Sequence, residues 1–299
     1  MSTGTIDRAS RPYQEVPPSE AERLLAEEGV ALDVRSAREH EEAGHIPGSL
    51  LLPLAFLASA PAVLPEDGRP VVLCCSDGVR SHRAARRLAE AGVENIFVVT
   101  GGMKEWTGPV ETGPSPVSGP SSWLVSNTAL VPPGSRTLDV ACGRGRHALL
   151  LAGAGYMVRA VDRDAARVER LGALARRLRL PLDAEIVDLE NGDPDLGDGE
   201  WGLVLVFRYL HRPLFPALVR ALRPGGVLLC ETFTNEQEPH GTPSNPEFLL
   251  EPGELPELVA PLDVVRQREG KYDGRHVASV AARKPLAPSP DPGELPPRA

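Results

Sequence analysis

The chain has 299 residues, of which 41% are hydrophobic, and a formal net charge of −9. This length favours two domains, and acidic residues outnumber basic ones in both halves, which argues against nucleic-acid binding. No apolar run reaches the roughly 20 residues that span a bilayer, and the N-terminus lacks an apolar signal core. We therefore expect a cytoplasmic protein that does not engage membranes. Its four cysteines lack metal-site spacing, so no bound metal is expected.

The first half alternates short apolar strands with helices. After a polar segment at residues 1–12, expected to be disordered, a helix is predicted over residues 18–28, with Ser19 and Glu22 at capping-box spacing. Strands are predicted at residues 30–34, 71–75 and 96–99, and further helices at residues 36–43 and 81–91. This alternation predicts a small parallel sheet that is covered on both faces.

The chemistry of this half is centred on the loop Cys75-Ser-Asp-Gly-Val-Arg80. A strand delivers Cys75 into the loop and a helix begins at its far end, so backbone N–H groups surround the sulfur. Arg80 adds a positive charge, and such surroundings lower a thiol pKa and stabilise a thiolate. Because side chains alternate along a strand, Cys74 points the other way and is expected to be a core residue. The other candidate loop residues are Ser76, Asp77, Gly78, Val79 and Ser81.

Residues 13–107 resemble the rhodanese family of sulfurtransferases. The matching segments are Asp33-Val-Arg35, Gly44-His-Ile-Pro-Gly-Ser49, the Cys75–Arg80 loop and Gly101-Gly-Met-x-x-Trp106. The loop has six residues, as in sulfur-transferring members, whereas phosphatases and arsenate reductases of this fold use seven. The resemblance implies that Cys75 carries a persulfide held by the loop N–H groups, with Arg80 beside it, and that Asp33 and His45 brace the loop.

Residues 108–122 are rich in Gly, Pro and Ser and are predicted to form an extended linker, which leaves the relative placement of the two domains open. The second domain is predicted over residues 123–284, followed by a disordered tail at residues 285–299. Its strands are predicted at residues 137–141, 156–162, 184–189, 201–207 and 227–232, its helices at residues 164–180 and 213–222, and a closing antiparallel pair at residues 262–269 and 276–283.

The second domain is organised around a glycine turn that follows its first strand and opens a helix. Gly143 and Gly145 allow backbone to approach a ligand closely, because no Cβ intervenes. The helix N-terminus presents free N–H groups. Asp162 ends the next strand, where a carboxylate can accept hydrogen bonds from both hydroxyls of a ribose. The spacing predicts a nucleotide-type cofactor and does not by itself exclude NAD.

The segment Asp139-Val-Ala-Cys-Gly-Arg-Gly-Arg-His resembles the first motif of class I S-adenosylmethionine (SAM) methyltransferases, and Arg223-Pro-Gly-Gly before a strand is a further shared feature. The resemblance implies a Rossmann-like, seven-stranded, mostly parallel sheet with SAM as cofactor. Arg146 replaces a glycine that is common in this motif. Carried over by position, Gly143 and Gly145 line the methionine, Asp162 holds the ribose, Asp188 and Leu189 flank the adenine, and Asp139 shapes the loop. Ala141, Arg163 and Phe207 complete the candidate cofactor contacts.

The methyl acceptor is expected where the fourth and fifth strands of this domain end. This position nominates Arg208, Tyr209, His211, Glu231 and Thr232 as substrate residues, and residues 234–252 as a cap. Residues 209–215 also resemble small-molecule methyltransferases of the tellurite-resistance type, whose acceptors are chalcogen compounds.

These features predict a bifunctional sulfurtransferase and SAM-dependent methyltransferase. Its expected partners are a sulfane-sulfur donor and a small methyl acceptor with a sulfur or other chalcogen nucleophile, and the linker is long enough for Cys75 to approach the second site. One alternative is a tRNA-modifying sulfurtransferase and methyltransferase. Another is a methyltransferase regulated by a non-catalytic rhodanese module that senses persulfide or oxidant. The sequence does not indicate an oligomeric state.

Overall fold

The structure, a computed structural model, describes residues 12–113, 118–240 and 243–286, with only the backbone described at 238–240. The terminal segments that were expected to be disordered lie outside these residues, except for residues 12, 285 and 286. None of the helices in the described part of the chain is both long and apolar enough to cross a bilayer.

The N-terminal half forms a five-stranded parallel sheet with the strand order β1-β5-β4-β2-β3. Its strands are β1 (Gln14–Val16), β2 (Val30–Asp33), β3 (Leu50–Leu51), β4 (Val71–Cys74) and β5 (Ile96–Val99). Its helices are α1 (Pro18–Ala26), α2 (Ala37–Glu42), α3 (Ala60–Val63) and α4 (Val79–Glu90), with 3-10 turns at Leu54–Ser59 and Gly102–Lys104. The edge strands β1 and β3 were not predicted, because so few residues show no clear alternation.

Both faces of this sheet are covered, as the alternation predicted. Leu73 and Cys75 point to the face packed by α4, whereas Val72 and Cys74 point to the face packed by α1. The two adjacent cysteines are therefore in different core clusters, in agreement with the predicted alternation along β4.

The capping box predicted at Ser19 is wrong. Helix α1 follows Pro17, which makes no side-chain cap, and begins at Pro18; proline suits the first helical position because its missing N–H would have no partner there. The reciprocal capping box lies instead at the start of α2, where the Ser36 hydroxyl accepts from the Glu39 N–H and the Glu39 carboxylate accepts from the Ser36 N–H.

The C-terminal half forms a seven-stranded sheet with the order β11-β12-β10-β9-β6-β7-β8, in which β12 is antiparallel to both of its neighbours. Its strands are β6 (Arg136–Val140), β7 (Met157–Asp162), β8 (Leu182–Ile186), β9 (Trp201–Phe207), β10 (Leu222–Phe233), β11 (Asp263–Tyr272) and β12 (Arg275–Arg283). Its helices are α5 (Ser122–Asn127), α6 (Arg146–Gly153), α7 (Ala165–Leu178), α8 (Phe215–Ala221) and α9 (Glu254–Leu258), with 3-10 turns at Thr128–Leu130, Arg212–Leu214, Asn235–His240 and Pro246–Phe248.

Strand β6 lies at the point where the strand order reverses, with β7 on one side and β9 on the other. Ligands of open α/β sheets bind at the carboxyl ends of the strands next to such a point. The topology therefore places a crevice directly beside the glycine turn that follows β6.

The two halves pack against each other. Ala62 of α3 belongs to a core cluster of the C-terminal half that includes Trp123 and Leu149. Helix α6 also approaches the N-terminal half closely at Gly153, where an added Cβ would lie only 3.3 Å from the Ala58 Cβ. The Gly/Pro/Ser composition of residues 108–122 did not predict this packing, because such a linker is compatible with both docked and separated domains.

Candidate active sites

The Cys75 loop places backbone around a buried sulfur. The Gly78 N–H donates to the Cys75 Sγ at 3.2 Å, and the Asp77 Oδ1 lies 3.9 Å from the same sulfur. Gly78 has φ +89° and caps α4, so the helix begins directly after the turn. The predicted arrangement of loop and helix N-terminus around Cys75 is present.

The loop is supported from behind by Gly102. Its position leaves no room for a side chain, since an added Cβ would lie 2.2 Å from the Cys75 carbonyl oxygen and 2.9 Å from the Asp77 nitrogen. The Met103 N–H donates to the Cys75 carbonyl at 2.7 Å, and the Lys104 N–H donates to the Ser76 carbonyl at 3.1 Å. These contacts explain why a Gly-Gly-Met segment accompanies the Cys75 loop.

Arg80 is not a free positive charge. Its guanidinium donates to both carboxylate oxygens of Glu39 and to the Ser76 hydroxyl. The Glu39–Arg80 hydrogen bonds hold the pKa of the Glu39 carboxyl well below its usual range. Arg80 therefore ties the loop to α2, and its charge is largely balanced by Glu39. Of the remaining loop residues, Val79 is exposed and Ser81 is buried with an unpartnered hydroxyl.

The residues expected to brace the loop have other partners. Asp33 forms a buried ion pair with Arg35 at 2.6 Å, and Arg35 also donates to the Gly44 carbonyl. His45 stacks on His40 and contacts Glu111 at 3.2 Å. Burial raises the pKa of the Cys74 thiol well above its usual value, which fits a core role for that residue. In the described residues, Asp33 and His45 make no hydrogen bond to the Cys75–Arg80 loop itself, but Asp33 pairs with Cys74 directly before it, so bracing of the loop stays a prediction.

In the C-terminal half, the glycine turn and Asp162 form one unit. The Gly143 N–H donates to the Asp162 Oδ2 at 2.8 Å, and the Asp164 N–H donates to the Oδ1 at 3.0 Å. Gly143 has φ +58°, and a Cβ built there meets nothing within 4 Å, so the turn faces open space. At Gly145, by contrast, a Cβ would lie 2.5 Å from Leu171. Gly143 thus faces the crevice, and Gly145 allows close packing with α7.

The unusual position in the turn is Ala141 rather than Arg146. Ala141 has φ +54°, a left-handed conformation that glycine adopts without strain. Arg146 is the first residue of α6, and its guanidinium donates to the Gly119 carbonyl at 3.3 Å. The departure from a glycine-rich turn therefore falls before Gly143, not after it.

Asp139 lies beneath the turn. It is 1% exposed, and its Oδ2 accepts from the Ala148 N–H of α6 at 3.1 Å. Burial raises the pKa of the Asp139 carboxyl to about 7, and the nearby charge of Asp162 adds to this shift. Asp139 anchors α6 to β6, which agrees with the expectation that it shapes the loop.

The remaining candidate cofactor residues differ in their exposure to solvent. Asp188 is exposed just beyond β8, and Arg163 is exposed and pairs with Glu190 at 2.9 Å. Leu189 is buried in a hydrophobic core cluster, and its contact with an adenine stays a prediction. Phe207 is also buried, with its ring 4.3 Å from that of His147.

His147 is a buried residue that the sequence did not nominate. Burial lowers the pKa of His147 well below its usual value, so the ring is neutral. Its Nε2 accepts from the Ser121 N–H at 3.2 Å. His147 therefore holds the end of the linker against α6.

A cavity of about 430 Å³ opens where β9 and β10 end. Three of the five acceptor candidates line it, namely Arg208, Tyr209 and Thr232, whereas His211 does not. The cap prediction is supported by Pro243 and Phe248, which contribute to the wall.

Glu231 does not face this cavity, so its nomination as an acceptor residue is wrong. Its Oε1 accepts from the Ser121 hydroxyl at 2.7 Å, and its Oε2 accepts from Arg268 and from the Ser279 hydroxyl, both at 2.8 Å. Because side chains alternate along β10, Glu231 and Thr232 point to opposite faces. Glu231 joins the linker to the β11–β12 hairpin.

The N-terminal half contacts the glycine turn through Arg144. The Arg144 guanidinium donates to the Pro61 carbonyl at 3.0 Å and to the Leu64 carbonyl at 2.7 Å, and it pairs with Glu66 at 2.9 Å. Arg144 lies between Gly143 and Gly145 in the chain, so one half of the protein directly holds the glycine turn of the other.

Sequence reasoning missed Glu39 and Arg275. For Glu39 a signal existed, because Ser36-x-x-Glu39 has capping-box spacing and the same carboxylate reaches Arg80. For Arg275, which joins Arg208 in the cavity wall, no local signal existed, because β12 is brought to β10 only by tertiary pairing.

Comparison with known proteins matches each half of the chain to a protein family. The profile of the Rhodanese-like domain matches residues 17–109, and that of the Methyltransferase domain matches residues 137–226. The chain is 39% identical over 80 residues to the putative sulfur carrier protein YrkF of Bacillus subtilis, covering 27% of this chain and 42% of YrkF. It is 35% identical over 85 residues to the thiosulfate sulfurtransferase GlpE of Pseudoalteromonas translucida, covering 28% of this chain and 79% of that protein.

A solved SAM-dependent methyltransferase from Aquifex aeolicus is 19% identical, with a TM-score of 0.45, and the match covers 55% of this chain and 89% of that chain. The chain spans under half the length of YrkF. The α/β fold and these family matches support a transferase with a rhodanese-like and a methyltransferase domain. The chain belongs to the rhodanese family through residues 17–109 and carries a methyltransferase domain at residues 137–226. The predicted pairing of a rhodanese-like domain with a Rossmann-like, seven-stranded domain is confirmed.

Proposed function

We propose that the protein is a bifunctional enzyme: a thiosulfate-type sulfurtransferase acting through a Cys75 persulfide, and a SAM-dependent methyltransferase acting on a small sulfur or other chalcogen nucleophile. The observation that carries the first activity is the Gly78 N–H, which lies 3.2 Å from the Cys75 sulfur at the start of α4. We place the protein in the cytoplasm, where Cys75 would stay reduced between reaction cycles.

This geometry supports a sulfur-transfer step on Cys75. The Cys75 thiolate attacks the outer sulfur of thiosulfate, a new S–S bond forms, and the old S–S bond breaks with its electron pair leaving on sulfite. The Asp77 carboxylate, with its Oδ1 at 3.9 Å from the sulfur, can accept the thiol proton. The Gly78 N–H then donates to the charged persulfide, and an external nucleophile removes the outer sulfur and regenerates the thiolate.

The crevice beside β6 fits SAM in two respects. Gly143 faces open space, so a ligand can lie against its backbone. Asp162 stands at the carboxyl end of β7, where the Gly143 and Asp164 N–H groups hold its carboxylate in one orientation for hydrogen bonds to the ribose. When bound, SAM supplies an electrophilic methyl group.

The residues around the cavity position the acceptor rather than activate it. Burial raises the pKa of the Tyr209 hydroxyl, and the Glu190 carboxylate in the cavity wall is paired with Arg163, so neither group is well placed to remove a proton. His147 lies outside this wall and accepts from the Ser121 N–H. A soft sulfur nucleophile needs little base assistance, so this cavity suits a thiol or related acceptor. The protein's contribution is orientation and exclusion of water.

One experiment tests both activities. The protein is incubated with SAM and a panel of sulfide, small thiols, selenite, tellurite and bulk tRNA, and S-adenosylhomocysteine is measured; sulfur transfer is measured separately from thiosulfate to cyanide. Cys75→Ser should abolish sulfur transfer and Cys74→Ser should preserve it, because only Cys75 enters the loop. Methylation confined to tRNA would refute the small-molecule proposal, and an inactive Cys74→Ser variant would refute the assignment of Cys75.

A further inference from the structure

Two cavities meet at the carboxyl ends of β9 and β10, and they share two arginines. Arg208 follows β9, and Arg275 begins β12, which is antiparallel to β10 and therefore starts at the same edge of the sheet. Both line the cavity of about 430 Å³ and a second one of about 190 Å³. The smaller cavity adds Arg146 and the linker residues 118–121. Three guanidinium groups thus converge beside the glycine turn.

No carboxylate neutralises these three arginines by an ion pair in the described part of the chain. The acidic groups nearby are engaged elsewhere: Glu190 by Arg163, and Glu231 by Arg268. Asp273 lines the smaller cavity but accepts from Ser122. Burial, together with repulsion from Arg146 and Arg275, lowers the pKa of the Arg208 guanidinium to about 10. Glu231 and Asp273 lie near enough to favour the charged forms of Arg146 and Arg208, but burial outweighs their attraction and lowers the pKa of both guanidinium groups.

Two further features mark the larger cavity as a binding site. The Thr232 hydroxyl is buried, with the residue only 1% exposed, and it has no hydrogen-bond partner although the residue lines the cavity. Such a hydroxyl ordinarily finds a partner, because leaving it unpaired is unfavourable. Arg208 has φ +58°, a strained conformation for a residue with a side chain, and strain of this kind clusters at functional sites.

From these observations we propose that the larger cavity selects a methyl acceptor that carries an anionic group, such as a carboxylate or an oxyanion. Arg208 and Arg275 bind the charge and the Thr232 hydroxyl donates to it, while Phe233 and Phe248 contact the rest of the molecule. This inference rests on the proposed methyltransferase activity and adds the charge of its substrate.

The chemical step needs no further reagent. A lone pair on the acceptor sulfur forms the new S–CH₃ bond, and the carbon–sulfur bond of the methyl donor breaks with its electron pair staying on the departing thioether. The acceptor thiol proton passes to water. The arginines take no part in this exchange, because they hold the remote anionic group and thereby orient the nucleophile.

The test compares mercaptopropionate with mercaptopropanol, two thiols of equal chain length that differ in the charged group. Binding is measured by calorimetry, and methyl transfer by S-adenosylhomocysteine formation. The intact protein should bind mercaptopropionate at least about tenfold more tightly, as expected when a charge-assisted hydrogen bond is gained. Arg275→Met and Thr232→Val should reduce this preference and leave SAM affinity within about twofold of the starting value. Arg220→Met, which removes an exposed arginine paired with Asp193 on the surface, is the control and should keep the preference.

Equal binding of the two thiols, or a preference that survives in Arg275→Met, would overturn the anionic-acceptor proposal even if methyl transfer is observed. Absence of SAM binding would instead refute the proposed methyltransferase activity. In that case, calorimetry with the two thiols still decides whether the arginine cluster binds anions, so the two failures are distinguishable.

Discussion

Replacing Asp139 with asparagine should stabilise the protein in a pH-dependent way. The Asp139 carboxyl is fully enclosed between β6 and α6, and its pKa is raised from 3.8 to about 7, mainly by burial. Asparagine keeps an oxygen to accept from the Ala148 N–H, as the Asp139 Oδ2 does at 3.1 Å, but it never ionises. The variant therefore removes the free-energy cost that the fold imposes on this carboxyl, which is protonation below pH 7 and a buried charge above it.

The sign and size follow from proton linkage. Between pH 3.8 and about 7, the folded protein keeps a proton on Asp139 that the unfolded chain has released. The free energy of unfolding of the native protein therefore falls as the pH rises through this window, by about 2 kcal/mol at pH 5.5 and about 4 kcal/mol at pH 8. The free energy of unfolding of Asp139→Asn should exceed that of the native protein by these amounts. Below pH 3.8, where the carboxyl is protonated in both states, the two proteins should be equally stable.

Urea unfolding of both proteins at pH 5.5 and pH 8 measures the effect. Asp183→Asn, which changes an exposed aspartate of β8, controls for the loss of one negative charge. If the stability gained by Asp139→Asn is the same at both pH values, the carboxyl is not held protonated in the fold and the reasoning is wrong.

Three other substitutions test the two sites. Asp162→Asn should weaken SAM binding about tenfold in calorimetry, because the ribose hydroxyls lose a charged acceptor; unchanged affinity would remove Asp162 from the site. Gly102→Ala should reduce sulfur transfer more than tenfold, because its Cβ would displace the Cys75 loop. The matched control Gly48→Ala has a similar φ but open space and should retain activity. Arg144→Met should lower the free energy of unfolding by about 1–2 kcal/mol and weaken SAM binding, and it should leave sulfur transfer unaffected. An unaltered SAM affinity would show that the glycine turn does not depend on the N-terminal half.

The sequence by itself determined which cysteine enters the loop before α4 and where the glycine turn after β6 lies. Cys74 and Cys75 could be told apart because strand side chains alternate with a period of two, a strictly local property. The turn at Gly143 and the acid at Asp162 could be located because a strand, a glycine turn, a helix and a second strand follow one another without interruption.

Where the sequence and the structure disagree, the decisive contacts join distant parts of the chain. Glu231 and Thr232 were nominated together, yet only the pairing of β10 between β9 and β12 decides that one joins the linker network and the other faces the cavity. Leu189 fits an adenine-binding position by spacing, and only packing against the rest of the core shows that it is buried. Local patterns specify strands and turns and do not specify which face becomes the site.

Only the tertiary structure brought the charges together. Arg208 and Arg275 are 67 residues apart in the chain and share one cavity wall because antiparallel pairing returns β12 to the edge where β9 ends. Arg144 reaches the Pro61 carbonyl because α6 docks on the N-terminal half. Coulomb interactions and hydrogen bonds depend on distance in space, and no periodicity within one segment encodes distances to another. The local pattern of each candidate site was therefore readable from the sequence, whereas the arginine pair in the cavity wall and the link between the domains were decided by the fold.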